Sequence, residues 1–209
     1  MIKIMSVLPG LATASDIDEF ITTFKEAFGG PPYYETYSDK EVLEEVWRPH
    51  HQHASIVLAH DDATGKVIGF GCSLPLSKAP DDVQDFLSEQ REAGALPEDF
   101  DPAKTWYMSE LGVLLAYRGR GISYDLVRHR LLAVSHSGAT HYVMRTAAEG
   151  SNSRHLYERI GAAPLAFEQD VSKTEQVTVM GSQSTKRVYL YGRSSEALHE
   201  ITSRQLAGK

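Results

Sequence analysis

The chain has 209 residues, of which 42% are hydrophobic and 23% are charged, and its formal net charge is −7. These values are typical of one folded domain with a sizeable core, and the acidic balance argues against a nucleic-acid-binding protein. No stretch is long and apolar enough to cross a membrane, and Pro9, Gly10, Asp16 and Asp18 interrupt any signal-peptide pattern, which predicts a cytoplasmic protein.

The first elements are predicted to be a strand and two helices. Residues 2–8 alternate as a strand does, and Ser15 is predicted to cap a first helix. Ser38 and Glu41 have the spacing of a capping box, which predicts a second helix that stops before Pro49. The apolar face of the first helix is formed by Ile17, Phe20, Ile21, Phe24 and Phe28.

A proline-rich loop between these helices contains Tyr33, Tyr34 and Tyr37. The tyrosines either pack the loop onto the domain or line a binding pocket, and the sequence leaves both interpretations open. The histidines that follow, at 50, 51 and 53, have no cysteine or carboxylate at a familiar ligand spacing. They predict a polar connector rather than a metal site, and the one cysteine, Cys72, excludes an internal disulfide.

Two β-rich runs, at 54–60 and 67–74, flank an Asp- and Gly-containing turn and predict a hairpin. The following segment, about 75–104, is predicted to be an insertion with a helix over 83–93. From Lys78 to Lys104 it carries eight acidic and three basic residues. Such a charge excess either attracts a cationic ligand or only keeps the surface soluble.

The central feature is a glycine-containing turn between a predicted strand, Trp106 to Leu115, and a predicted helix. Gly119 and Gly121 lie on this turn and alternate with Arg118 and Arg120. Helix N-termini offer unpaired N–H groups and partial positive charge, and glycine permits close approach, so the pattern predicts a phosphate cradle. The alternative is an ordinary turn with solvated arginines. The apolar helix positions are Ile122, Leu126, Val127, Leu131 and Val134, with Arg128 and Arg130 between them.

The rest of the chain predicts a strand over 141–146, a short helix that ends at Gly161, and two final strands over 163–170 and 187–193. Residues 177–180 are a candidate short strand in the connecting loop. Residues after Ser194 are predicted to form a short helix or a frayed tail.

Two motifs resemble those of the GCN5-related N-acetyltransferase (GNAT) superfamily. Arg118, Gly121 and Ser123 match its acyl-CoA loop, Arg/Gln-x-x-Gly-x-Gly/Ala, with serine in the last position. The segment 152–161 is similar to its second signature, in which a Leu-Tyr pair precedes a helix-ending glycine. The resemblance implies an α/β GNAT fold: a mixed central β-sheet flanked by helices, with a helical insertion between the third and fourth strands, in a single domain over 1–209.

The resemblance also implies the activity. It points to an acetyl-CoA-dependent N-acetyltransferase that moves an acetyl group to a primary amine by direct attack in a ternary complex, without a metal. By the same resemblance Tyr33, Tyr34 and Tyr37 contact the acceptor. The CoA-binding residues would be Leu111, Val113, Leu115, Arg118, Gly119, Arg120, Gly121, Ile122, Ser123 and Asn152.

Two residues are candidates for proton transfer. Glu110, the only carboxylate inside the predicted central strand, is the candidate base, and the alternative is a surface glutamate paired with an arginine. Tyr157 is the candidate acid for the CoA thiolate, and the alternative is a packing role. The expected partner is a small amine or peptide amine, with a cationic acceptor favoured by the acidic insertion. A homodimer and an inactive acyl-CoA-sensing module of the same fold stay open.

Overall fold

A computed structural model describes residues 1–30, 34–53, 55–171 and 186–207. Over these ranges the chain forms two compact units. The first contains the described residues of Met1–Ser73 together with Glu110–Arg130, and the second contains Leu74–Ser109 and the described residues from 131 onward. The predicted strand over 177–180 and Tyr33 lie outside the described residues.

The strands form two sheets. The first unit has a four-stranded antiparallel sheet in the order β1-β2-β3-β6, and the second has a five-stranded sheet in the order β4-β5-β7-β9-β8. In the second sheet β5 and β7 are parallel and the other pairs are antiparallel. The strands are β1 (Ile2–Val7), β2 (Ile56–Asp61), β3 (Val67–Cys72), β4 (Leu74–Pro75), β5 (Thr105–Tyr107), β6 (Leu111–Val113), β7 (His141–Ala147), β8 (Ala163–Asp170) and β9 (Lys186–Arg193).

The helices confirm the predicted α/β class. They are α1 (Ala14–Gly29), α2 (Asp39–Glu41), α3 (Arg48–Gln52), α4 (Asp81–Glu92), α5 (Ile122–His136), α6 (Asn152–Arg159) and α7 (Ser194–Ala207). A wider π-helical turn, Val42–Trp47, connects α2 to α3. The residues after 193 are therefore a helix through Ala207 rather than a frayed tail. No helix in the described ranges is both long and apolar enough to cross a membrane.

Helix α1 is capped by Thr13, two residues before the predicted cap at Ser15. Thr13 is the N-cap: its hydroxyl accepts from the Asp16 N–H at 3.1 Å, and the Asp16 carboxylate accepts from the Thr13 N–H at 2.8 Å. Ser15 lies inside the helix, so its prediction as the cap is wrong. Ser15 and Asp18 have the same spacing as Thr13 and Asp16, so the sequence allows either box, and the structure forms the earlier one, which satisfies two N–H donors at once. The aromatic core face of α1 is confirmed.

The second helical segment does not stop before Pro49. The predicted capping box of Ser38 and Glu41 is confirmed, but the chain then widens into the π-helical turn and continues as α3. Proline lacks an N–H and its ring clashes with the carbonyl four residues earlier, and the wider turn relieves that conflict. The three histidines therefore belong to this helical segment and its end, rather than to a polar connector. Among the described residues no cluster of His, Cys, Asp and Glu could hold a metal ion.

The predicted central strand is divided. Trp106 to Leu115 was expected to be one strand, but β5 pairs in the second sheet and β6 pairs in the first. At the division Met108 donates its N–H to the Val143 carbonyl at 2.8 Å, and the Glu110 carbonyl accepts from the Cys72 N–H at 2.8 Å. These bonds direct the two halves to different partners. The strand ends at Val113, and Leu115 begins a short 3₁₀ turn.

Gly112 lies inside β6, and a glycine inside a strand marks either a bulge or a close approach. The pairing of β3 with β6 runs regularly from Gly69–Val113 to Gly71–Leu111, without a bulge. A Cβ at Gly112 would lie 2.4 Å from Cζ of Phe70, which is far inside van der Waals contact. The glycine therefore makes room for a core aromatic ring.

The acidic segment that was predicted to be an insertion supplies part of the core of the second unit. Val83 and Leu87 of α4 are buried with Tyr107, Val143 and Tyr189 of the sheet. The helix spans Asp81–Glu92, close to the predicted bounds. This packing shows that the segment covers one face of the five-stranded sheet.

His50 makes folding stability depend on pH. Its side chain is 4% exposed, and Nδ1 lies 2.6 Å from the Val46 carbonyl, to which it donates. Burial lowers the pKa of His50 from 6.5 to about 4; the bond to Val46 opposes this change, and the positive charges of Arg130 and His53 add to it. Protonation is therefore easier in the unfolded chain than in the folded one.

We expect the free energy of unfolding to fall as pH is lowered from about 6.5 to about 4, because only the unfolded state takes up the proton in that window. The loss is about 2 to 3 kcal/mol at the lower end. Urea titrations from pH 7 to 4.5 measure it. His50→Gln should flatten the profile, whereas His199→Gln, at an exposed position, should not. A His50→Gln profile as steep as that of wild type would contradict the expectation.

Candidate functional site

The glycine turn lies where the sequence predicted it, between a strand and a helix N-terminus. Gly119 and Gly121 have φ of +77° and +80°, a region that favours glycine, and a Cβ at either position would meet no atom within 4 Å. The first backbone bond of α5 runs from the Tyr124 N–H to the Gly121 carbonyl at 3.0 Å. The N–H groups of Ile122 and Ser123 precede it and have no acceptor within the helix. The turn thus presents open backbone and the positive end of a helix dipole.

Arg118 fixes the shape of this turn. Its Nε donates to the Val113 carbonyl at 2.9 Å, and a terminal nitrogen donates to the Ala27 carbonyl at 3.5 Å. The guanidinium therefore connects the turn to the end of β6 and to α1. Its predicted direct contact with phosphate stays a prediction.

A second anchor comes from the β2–β3 turn. The Tyr117 hydroxyl donates to the Asp61 carboxylate at 3.0 Å, and Arg120 lies over the Tyr117 ring, 5.1 Å from its centroid. The N–H of Ala63 and the Tyr117 hydroxyl lower the pKa of Asp61, so the carboxylate stays ionised and keeps accepting. The sequence indicated Asp61 only as a turn residue, because its partner Tyr117 is 56 positions away and leaves no local signal.

The edge of the first sheet adds a backbone donor. In β6, Leu114 donates its N–H to the Ile68 carbonyl at 3.0 Å, and Gly112 pairs with Phe70. Successive N–H groups in a strand point in opposite directions, so the Val113 N–H points away from β3. Within this sheet β6 is the edge strand, so that N–H lies along the open edge.

The predicted CoA-binding residues fall into two places. Leu111, Val113, Leu115 and residues 118–123 form one continuous stretch of the first unit, in which Leu115 is 66% exposed. Asn152 is the first residue of α6 in the second unit, where Ser151 caps the helix by accepting from the Arg154 N–H at 3.2 Å.

Glu110 lies directly before β6 and is half-buried. Its carbonyl bonds to the Cys72 N–H, and its charge also acts on the Cys72 thiol: burial raises the pKa of that thiol, the Glu110 charge raises it further, and Arg130 opposes both. The carboxylate is thus held at the point where the central strand divides.

Tyr157 of α6 is 1% exposed, and its ring centroid lies 5.9 Å from that of Tyr142 on β7. The predicted packing role is confirmed by this contact, and the role as an acid stays a prediction. The two roles are compatible, because packing of the ring leaves the hydroxyl able to donate a proton.

The tyrosines of the α1–α2 loop differ from one another. Tyr34 has φ of +55°, unusual for a non-glycine residue, and is 46% exposed. Tyr37 packs on Phe24 with ring centroids 5.2 Å apart, and its hydroxyl donates to Glu35 at 2.7 Å. The packing interpretation therefore describes Tyr37, whereas Tyr34 presents its ring at the surface.

Solved structures of several acetyltransferases share the fold of this chain. The ribosomal-protein-S18-alanine N-acetyltransferase from Escherichia coli is 12% identical, with a TM-score of 0.59 over 92% of this chain and 94% of its own. The Salmonella typhimurium protein yncA, solved with its cofactor acetyl-CoA, is 12% identical, with a TM-score of 0.61 over 93% and 94%. The NatC complex bound to Gag peptide and CoA includes a chain that is 16% identical, with a TM-score of 0.58 over 92% and 98%.

The sequence itself identifies the family to which the chain belongs. The model of the acetyltransferase (GNAT) family matches residues 18–162, which include the divided strand, the glycine turn and α6. The chain therefore belongs to the GNAT acetyltransferase family, as the two motifs predicted. No curated protein matches its sequence.

Proposed function

We propose that this protein is an N-acetyltransferase that uses acetyl-CoA as co-substrate and transfers the acetyl group to a primary amine by direct attack in a ternary complex. The observation that carries the proposal is the open glycine turn at the N-terminus of α5, directly after an edge strand. Family membership and the acetyl-CoA bound to the Salmonella relative support it.

The residues of the turn fit a pyrophosphate group. Its charge would be met by the N–H groups of Ile122 and Ser123, and the absence of a Cβ at Gly121 allows that approach. The Val113 N–H, directed along the open edge of β6, is suited to polarise the thioester carbonyl. The Arg118 side chain donates to the Val113 carbonyl and so helps to hold the backbone that carries the Val113 N–H in position.

Glu110 and Tyr157 are the proposed proton-transfer groups. An alkyl amine is mostly protonated near neutral pH and must lose a proton to attack. Glu110 takes that proton, directly or through a water, and Tyr157 supplies one to the departing thiolate. CoA binding without turnover on a panel of amines would instead favour an acyl-CoA-sensing module.

Glu110→Gln tests the base. We expect kcat/KM to fall by about tenfold at neutral pH and its rise with pH to move to higher pH, because only amines that are already deprotonated would react. The measurement is the pH profile of acetyl transfer to the best amine. Glu158→Gln, at a carboxylate already paired with Arg154 at 2.9 Å, is the control. A Glu110→Gln profile identical to that of wild type would remove Glu110 from the mechanism.

We also propose a cationic acceptor, supported by the exposed acidic side of α4. Two acidic residues of this segment already have partners: the Asp82 carboxylate bonds to Arg145 at 2.5 Å, and that of Asp99 bonds to Arg193 at 2.6 Å. Their charges hold the fold of the second unit. Other acidic residues of the segment are exposed and can act on a ligand, and Asp81, Asp85 and Glu89 are three of them that lie on α4.

Neutralising Asp81, Asp85 and Glu89 to their amides should lower kcat/KM for the best amine by several-fold at low salt and by much less at high salt, because salt screens the field already in wild type. A control triple variant neutralises three exposed glutamates elsewhere in the second unit, namely Glu149, Glu168 and Glu196. Equal kinetics for both triple variants at both salt concentrations would leave α4 with no part in substrate choice.

A further inference from the structure

Arg130 is a charged residue in the core of the first unit. Although arginine is charged, its side chain is 1% exposed, and it lies on the same side of α5 as the buried Leu126, Val127 and Val134. A terminal nitrogen of its guanidinium donates to the Cys72 carbonyl. The strand makes room for it at Gly71, where a Cβ would lie 2.6 Å from Cδ of Arg130.

Cys72 connects Arg130 to Glu110. Its carbonyl accepts from the guanidinium, and its N–H donates to the Glu110 carbonyl at 2.8 Å. The thiol lies within electrostatic range of both side chains, since the Glu110 charge and the Arg130 charge shift its pKa in opposite directions, after the larger effect of burial. Cys72 of β3 therefore bonds to the Arg130 guanidinium and to the backbone of Glu110, and its thiol is influenced by the charges of both side chains.

A buried cation is costly. Removing a charged group from water costs several kcal/mol unless it is paired and hydrogen-bonded, and a well-packed apolar side chain at such a site is often no less stable. Leucine or methionine would fit the apolar pattern of α5. The arginine is therefore better explained by what its charge does than by stability.

Building on the proposed function, we propose that Arg130 is a positioning residue for the base: its guanidinium holds the Cys72–Glu110 junction and supplies a fixed positive charge that keeps the Glu110 carboxylate ionised. An opposite charge nearby favours the ionised form of a carboxylate. The base would then be ready to accept a proton from a cationic amine at the pH of the reaction.

The neighbouring titratable groups do not supply this charge. Burial raises the pKa of the Cys72 thiol above its ordinary value of 9.0, so the thiol stays protonated near neutral pH. Burial lowers the pKa of His50 in α3 to about 4, so that ring is uncharged above that value. His53 acts on His50 from the end of the same helix. The guanidinium of Arg130, bonded to the Cys72 carbonyl, is the group that supplies the positive charge here.

Two substitutions separate the charge from the hydrogen bond. Arg130→Gln keeps a donor for the Cys72 carbonyl and loses the charge, whereas Arg130→Lys keeps the charge. We expect the acidic limb of the kcat/KM profile to move up by about one pH unit in Arg130→Gln, which is about a tenfold loss at low pH and little loss at high pH. The acidic limb should stay in place in Arg130→Lys. In a background that already carries Glu110→Gln, adding Arg130→Gln should cause no further movement of the limb.

Arg128→Gln, two residues earlier on the same helix and partly exposed, is the matched control and should leave the limb in place. A uniform loss at every pH in Arg130→Gln, or the same shift in Arg130→Lys, would overturn the inference. If neither variant folds, Arg130 serves the fold rather than the base, and the inference also fails.

A measurement without substrate separates this inference from the proposed function. Carbon-13 NMR of the side-chain carboxyl of Glu110, assigned with Glu110→Gln, follows its titration directly in the folded protein. The midpoint should rise in Arg130→Gln and not in Arg128→Gln. An inactive wild type with this shift would refute the acetyl transfer and keep the charge coupling, whereas active wild type with an unmoved midpoint would refute the coupling alone.

Discussion

Gly121→Ala is expected to remove the protection that CoA gives this protein against thermal unfolding. A ligand at 100 times its Kd stabilises the folded state by about 2.7 kcal/mol, and a methyl group on the open side of the turn would occupy the space that the pyrophosphate needs. The substitution should also cost about 1 to 2 kcal/mol without ligand, because φ at Gly121 is +80°. Thermal unfolding with and without CoA measures both effects.

Gly138→Ala is the matched control. Gly138 follows the other end of α5 with φ of +82°, and a Cβ there would likewise meet no atom within 4 Å. It should lose a similar amount of stability and keep the full protection by CoA. If Gly121→Ala keeps that protection as well, the turn is not the pyrophosphate site and the proposed function loses its main support.

Tyr157→Phe is expected to lower the rate of acetyl transfer by about 10² to 10⁴ with little change in CoA affinity, because it removes the proton donor and keeps the ring. The rate should be measured under conditions where chemistry is limiting. An unaltered rate would assign Tyr157 to packing only.

Tyr142→Phe is the same exchange on the neighbouring ring. The Tyr142 hydroxyl is buried and has no hydrogen-bond partner among the described residues, so its removal should keep the rate and stabilise the fold by about 1 kcal/mol. Equal losses of rate in the two variants would show that the loss in Tyr157→Phe reflects disturbed packing.

The features that the sequence predicted well are local. The capping box of Ser38 and Glu41, the β2–β3 hairpin and the glycine turn before α5 each depend on residues within a few positions of one another. Their signals are turn chemistry and capping, which act before tertiary contacts form. Most of the proposed CoA-binding stretch belongs to this group.

The features that the sequence missed depend on distant partners. The division of the central strand is set by bonds to Val143 and Cys72, which no window around 106–115 contains. The sequence shows Arg130 only as an arginine between apolar positions of a helix, and its burial follows from the space left by Gly71. The sequence shows Asp82 only as one acidic residue of the insertion, and its bond to Arg145, 63 positions away, leaves no local signal.

The contact between Cys72 and Glu110 has a consequence for folding during synthesis. Strands β1 to β3 leave the ribosome well before β6, which completes their sheet, since the whole segment 74–109 is made in between. Until then the edge of β3 that pairs with β6 has no backbone partner, and closing so long a loop costs conformational entropy that the later bonds must offset. A nascent chain stopped before residue 110 would therefore carry an incomplete sheet edge, the kind of surface that chaperones bind.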